Sequence, residues 1–176
     1  MRIEIFNKIK RDFGEYGSFA IWNENIRDTS FISKNINLLH SRVIFVGYNA
    51  VTNLNEFQNF HTVRRGGKDI WLKQVLGNHR YFKGAYMTDF FKKDKGRREV
   101  DVIVNQTTIQ KNADILEKEI KTLDVEKPIL VAFGRKAERV LKRLPYEVKF
   151  CPHYAGRISF ERFKSEIENL GKFFQE

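Results

Sequence analysis

Cysteine is almost missing from this chain, with Cys151 as its single example. One thiol closes no disulfide within the chain and builds no cysteine-rich zinc or iron–sulfur site. Cys151 itself reads as a buried small hydrophobe rather than as a nucleophile. Proline is scarce too, at 3 in 176 residues, and no stretch rich in Pro, Gly or Ser interrupts the chain. A single domain over residues 1–176 is therefore expected. No apolar run approaches the roughly 20 residues that span a bilayer. The start, Met1-Arg2-Ile3-Glu4, carries an acid and no apolar signal core. The expectation is a cytoplasmic protein with no membrane partner. The histidines His40, His61, His79 and His153 show no pair at helical ligand spacing, so neither a metal nor another cofactor is expected.

Positive charge and phenylalanine are abundant. Lys and Arg number 32 against 22 Asp and Glu, a net charge of +10. Such an excess invites a polyanion, nucleic acid above all, although a solvated surface accounts for many lysines. The cations cluster. Arg64, Arg65 and Lys68 form one group; Lys92, Lys93, Lys95, Arg97 and Arg98 a second; Arg135, Lys136, Arg139, Lys142 and Arg143 a third. Phe occurs 16 times, enough to fill a core and leave rings for stacking on a ligand.

Periodicity orders the chain. Ile5, Ile9 and Phe13, with Phe6 on the adjacent row, predict an amphipathic helix ending near Gly14 or Gly17. Residues 18–40 read as loop with a short helix. Val43–Val46 is fully apolar and predicts a buried parallel strand, followed by a loop Gly47-Tyr48-Asn49. A helix is expected over Gly66–Leu76, a strand over Ala85–Phe90, and a long helix marked by Ile109, Ala113, Leu116, Ile120 and Leu123. A strand Ile129–Phe133, a helix Arg135–Leu144 before Pro145, a strand Val148–Cys151 before Pro152 and a last helix through Phe160, Phe163, Ile167, Leu170 and Phe174 complete the pattern. Strands alternating with helices imply an α/β fold. The expectation is a three-layer α/β/α sandwich around a central, mostly parallel four-stranded sheet.

Ligands of such sheets bind at the carboxyl ends of the strands. Here those ends are Gly47-Tyr48-Asn49, Thr88-Asp89-Phe90, Gly134-Arg135-Lys136 and Pro152-His153-Tyr154. Gly47 lets backbone turn or approach a ligand. Asn49 offers an amide to orient a water, or closes an Asx-turn. Asp89 is an acceptor for a base edge, a salt-bridge partner of Lys92 or Lys93, or an N-cap. His153 suits an acid or anion-stabilising role, or is simply solvated. Phe60 stacks on a flat ligand or plugs the core. The amides opening the helix at Arg135, with Arg135 and Lys136, suit a phosphate. Gly66-Gly67-Lys68-Asp69 lacks P-loop spacing and follows no strand.

Taken in order, VIFVGYNAV, NFH, AYMTDFFK and CPHYAGR, with LVAFGRKAERVL between the last two, resemble the uracil-DNA glycosylase superfamily over roughly residues 40–160. The resemblance implies a DNA-repair hydrolase that flips a base and cleaves its N-glycosidic bond. It implies that Asn49 holds the hydrolytic water and that His153 stabilises charge on the leaving base. Gly47 and Tyr48 would shape the base pocket, Phe60 (or His61) would stack on the base, and Asp89 would read its edge. Arg64, Arg65, Lys92, Lys93, Arg135 and Lys136 would hold DNA phosphates. A carboxylate at 89 accepts from ring N–H groups and repels carbonyl oxygens, so a base edge rich in donors is favoured over uracil. Two alternatives stand beside this reading: a non-catalytic nucleic-acid-binding protein on the same fold, and a nucleotide-binding α/β protein.

Overall fold

A computed structural model describes residues 1–50, 55–62, 67–92 and 105–174. The chain folds around a five-stranded mixed sheet in the order β1-β3-β2-β4-β5. The strands are β1 (Ser18–Phe19), β2 (His40–Asn49), β3 (Ala85–Phe91), β4 (Ile129–Phe133) and β5 (Glu147–Cys151). The helices are α1 (Ile3–Phe13), α2 (Ser30–Lys34), α3 (Asp69–Val75), α4 (Gln106–Thr122), α5 (Arg135–Leu141) and α6 (Phe160–Lys172). Strands β3, β2, β4 and β5 run parallel, and β1 pairs antiparallel with β3.

Two expectations need correction. The sheet has a fifth strand, β1, inside the segment read as loop. Two residues are too few to display a period, and they become a strand only because β3 offers its edge. Second, Gly47-Tyr48-Asn49 is the end of β2 and not a loop after it. Pairing with β3 continues through Gly47↔Asp89 and Asn49↔Phe91, beyond the apolar run.

Alternation along the strands divides the interior in two. On one face Ile44, Val46, Tyr86 and Leu130 pack with Phe6, Ile9 and Phe13 of α1, Ile109, Leu116 and Ile120 of α4, and Val140 and Leu141 of α5. On the other, Val43, Phe45, Met87, Val131 and Phe133 pack with Leu72 and Val75 of α3 and with Phe163, Ile167 and Leu170 of α6. Local chemistry starts the two long helices after β3 and β5. Asn105 accepts from the Thr108 amide at 2.8 Å, and Ser159 from the Arg162 amide at 3.3 Å.

Between the sheet and α4 lies a buried ionic knot. Glu119 accepts from Tyr86 Oη at 2.5 Å and from Thr88 Oγ1 at 2.9 Å, and it pairs with Lys92 Nζ at 2.5 Å. Lys92 is 1% and Glu119 0% exposed. Each is the direct ionic partner of the other in this low-dielectric interior, so neither can be removed alone without large cost.

Candidate functional site

Strand order places a crevice before any side chain is considered. From β2 the chain crosses to β3 on one side, then returns past β2 to β4 on the other. The carboxyl ends of β2 and β4 therefore flank the point where the winding reverses, the usual place for a ligand in an open α/β sheet.

At that end Gly47 and Asp89 are register partners on neighbouring strands, and their side chains share a face. The Asp89 carboxylate lies over Gly47, where any Cβ would collide with its Oδ1. Its Oδ2 accepts from Asn59 Nδ2 at 2.7 Å, and the same amide nitrogen donates to Tyr16 O at 2.6 Å. Asp89 is 5% exposed. Burial is the main cause that raises its pKa to about 6; the Asn59 bond and then Lys92 oppose it, while Glu119 and Asp69 add to it. Two residues beyond Gly47 on β2, Asn49 shares the face of Gly47 and Asp89 and is half-buried.

The floor beside this carboxylate is aromatic. Phe60, buried and held at φ 65°, lies 6.4 Å from Phe133 at the end of β4. The Phe133 ring is 5.6 Å from Tyr154 and 6.4 Å from His153. Gly134 follows at φ 89°, with the position of a would-be Cβ 3.2 Å from His153 Cβ, so glycine here gives the histidine loop room to approach β4. The His153 ring stacks on Tyr154 at 4.9 Å and 17°. Its Nδ1 accepts from the Ala155 amide at 3.1 Å, which leaves the proton of the neutral ring on Nε2. The Tyr154 hydroxyl meets the Asp69 carboxylate and lies in the field of Asp89; burial, then these two acids, raise its pKa. Asp69 in turn accepts from the Thr62 amide and hydroxyl at 3.1 and 2.8 Å. Tyr154 thus stacks on His153 while its hydroxyl lies in the field of Asp69 and Asp89.

Of the residues singled out in the sequence, Gly47, Asn49, Asp89, Phe60 and His153 gather at this end of the sheet. Tyr48 does not join them. It projects to the opposite face, into the α1–α4 core, with its ring 5.0 Å from Phe91 and Lys136 Nζ 5.7 Å above it. His61 is not the stacking residue: it is 1% exposed, its Nε2 meets Phe19 O at 3.1 Å, and burial lowers its pKa to about 4. Lys92 is drawn inward to Glu119 and presents no charge to a phosphate. Lys68, of the first basic group, donates to Gly156 O and Ile158 O at 3.0 and 3.2 Å and so ties down the His153 loop. Arg135 pairs with Glu138 at 2.7 Å and lies 3.9 Å above the Phe150 ring. Helix α5 is only seven residues long, too short for its N-terminus to be assigned a phosphate. Arg64, Arg65 and Lys93 lie outside the described residues.

Asn59, Asp69 and Tyr154 are the additions. No local spacing announces them, because their partners arrive from other parts of the chain. Asn59 lies beside Phe60 in the NFH stretch and Tyr154 beside His153, but neither position by itself signals a partner. Among the described residues no helix is long and apolar enough to cross a membrane. Comparison with models of known protein families gives no match for this chain, and no curated protein matches it.

Proposed function

We propose that this chain recognises an extruded base in DNA and hydrolyses its N-glycosidic bond, in the manner of the uracil-DNA glycosylase superfamily. The helices on the two faces of the sheet fit a three-layer α/β/α sandwich, the architecture this reading expects. The observation that carries the reading is the Asp89 carboxylate over side-chain-free Gly47 near the switch point, with Asn49 on the same face and the His153–Tyr154 stack against Phe133 at the end of β4.

Each group has a chemical part. Phe60, the less buried of the two rings, borders the place for a flat base, and Phe133 packs behind it. Asp89 accepts hydrogen bonds from the edge of the base. Cleavage builds negative charge on the departing base, and the N–H at His153 Nε2 is a donor suited to it. Asn49 holds the attacking water by its amide, which replaces a free encounter by a fixed approach. Since Asp89 repels carbonyl oxygens, the preferred base has N–H donors on the edge it presents.

The test is a panel of oligonucleotides carrying uracil, hypoxanthine and amino-bearing damaged bases, single- and double-stranded, read by alkaline cleavage at abasic sites. Product is expected from at least one donor-rich base, with a loss of about 10²-fold or more in Asn49→Ala. Absence of abasic product from every substrate, or full activity in that variant, rejects the mechanism.

A further inference from the structure

On the far side of the sheet, α1 and α4 pack as an antiparallel pair and leave a groove between their exposed faces. Its walls are cationic. Arg2, Lys8 and Arg11 line it from the α1 side, and Lys118 and Lys121 from α4. Lys8 and Arg11, three residues apart on α1, share one face, as do Lys118 and Lys121 on α4, while Arg2 caps the start of α1. Two acids also face the groove, and each is engaged: Asp124 pairs with Arg2, and Asp12 pairs with Arg11 at 2.8 Å. Among the described residues Lys8, Lys118 and Lys121 form no salt bridge, so the groove carries three more positive than negative charges. The Asp12 carboxyl is held below its usual range by its bond to Arg11 and, more weakly, by Lys118 and Lys8.

None of this belongs to the strand-end site. Asp124 precedes the amino end of β4, whereas Asp89 and His153 mark the carboxyl ends. A concave surface with an excess of one sign of charge focuses the field and concentrates a counter-ion. From the cap Arg2 to Arg11 the α1 wall extends about 14 Å at 1.5 Å per residue. That length is enough for roughly three successive phosphates of one strand. A single small anion would need a buried polar cradle; an extended row of exposed cations suits a chain of regularly spaced charges.

We propose that the groove between α1 and α4 seats the phosphodiester backbone of nucleic acid, as a contact surface separate from the base site. It reads charge and not sequence, because long flexible lysines hold phosphates without selecting bases.

The test is binding of a short unmodified DNA duplex by fluorescence anisotropy across a salt series. The triple variant Lys8→Glu, Lys118→Glu, Lys121→Glu is compared with Arg162→Glu, Lys164→Glu, Lys172→Glu on α6, which changes net charge equally. The groove variant is expected to flatten the slope of log affinity against log salt by about 3, near 0.9 for each lost phosphate contact. The α6 variant should change it by less than about 1 on the same scale. Equal losses in the two variants, or none in the groove variant, overturn the proposal. So does binding to phosphatidylserine vesicles that depends on the groove while duplex binding does not. The triple Lys→Gln variant gives the same comparison without charge reversal if the Glu variant fails to fold. Because the duplex holds no modified base, failure of the glycosylase reading leaves the outcome intact.

Discussion

Replacing Asp89 by Asn tests the electrostatics of the site without needing a substrate. Asn keeps the shape and an oxygen for the Asn59 amide, but it removes the titration. In the folded protein burial raises the Asp89 pKa from 3.8 to about 6, so the folded state holds its proton more tightly than the unfolded chain does. Between those values the folded state carries a proton that the unfolded state has lost, and stability falls as pH rises. A rise from 3.8 to about 6 is worth about 3 kcal/mol at 1.36 kcal/mol per pH unit. The contribution is fully present below about pH 3 and gone above about pH 7. Urea unfolding of parent and Asp89→Asn from about pH 3 to about pH 8 is the assay. The stability of the variant minus that of the parent should grow by about 3 kcal/mol over this range and level off near neutrality. A difference that stays flat, or that shrinks with pH, would refute the picture of a buried carboxylate poised over Gly47. The same titration bears on base reading: ionised Asp89 only accepts, whereas its protonated form also donates.

Three further outcomes follow from the packing. Gly47→Ala drives a methyl into Asp89 Oδ1 and should cost about 1–3 kcal/mol while displacing the base-reading carboxylate, checked by unfolding and by the cleavage assay. Glu119→Ala strands the Lys92 ammonium in the interior and should cost about 3–5 kcal/mol by denaturant unfolding, more than any surface ion pair. The Cys151 thiol is buried, and burial, followed by the Glu166 charge, pushes its pKa up. It should react with a disulfide reagent at pH 8 only on unfolding, and a rate matching free thiol in the native protein would contradict its burial.

The parts of the fold that were legible are those where one short stretch contains its own reason. Val43–Val46 and Ile129–Phe133 are saturated with apolar residues because both faces of those strands are covered. The row Ile109, Leu116, Ile120 is legible because a helix must turn one stripe toward the sheet. By contrast, β1 has no pattern of its own, and Lys92 looks like one more surface cation until Glu119 meets it from another element. At the site, Gly47, Asn49, Asp89 and His153 were visible because strand ends are predictable places. The bonds that hold Asp89 and position Tyr154 were not, since Asn59 and Asp69 reach them from outside the strands. Tyr48 illustrates the reverse error: adjacency in sequence suggested shared work, and the pleat sent it to the other face.

The two-residue strand β1 has a consequence for solubility. Every residue of β3, Ala85–Phe91, is buried, and β3 would form the outer edge of the sheet without it. Ser18–Phe19 covers the first part of that edge, at Tyr86 and Met87, and the Ala20 amide extends the cover by donating to Ala85 O at 2.8 Å. An uncovered row of amides and carbonyls on so apolar a strand would be a template for the same strand of another molecule. Substitutions that detach Ser18–Phe19, Ser18→Pro above all, should therefore reveal themselves first as concentration-dependent aggregation, seeded through β3, before any loss of helix is seen.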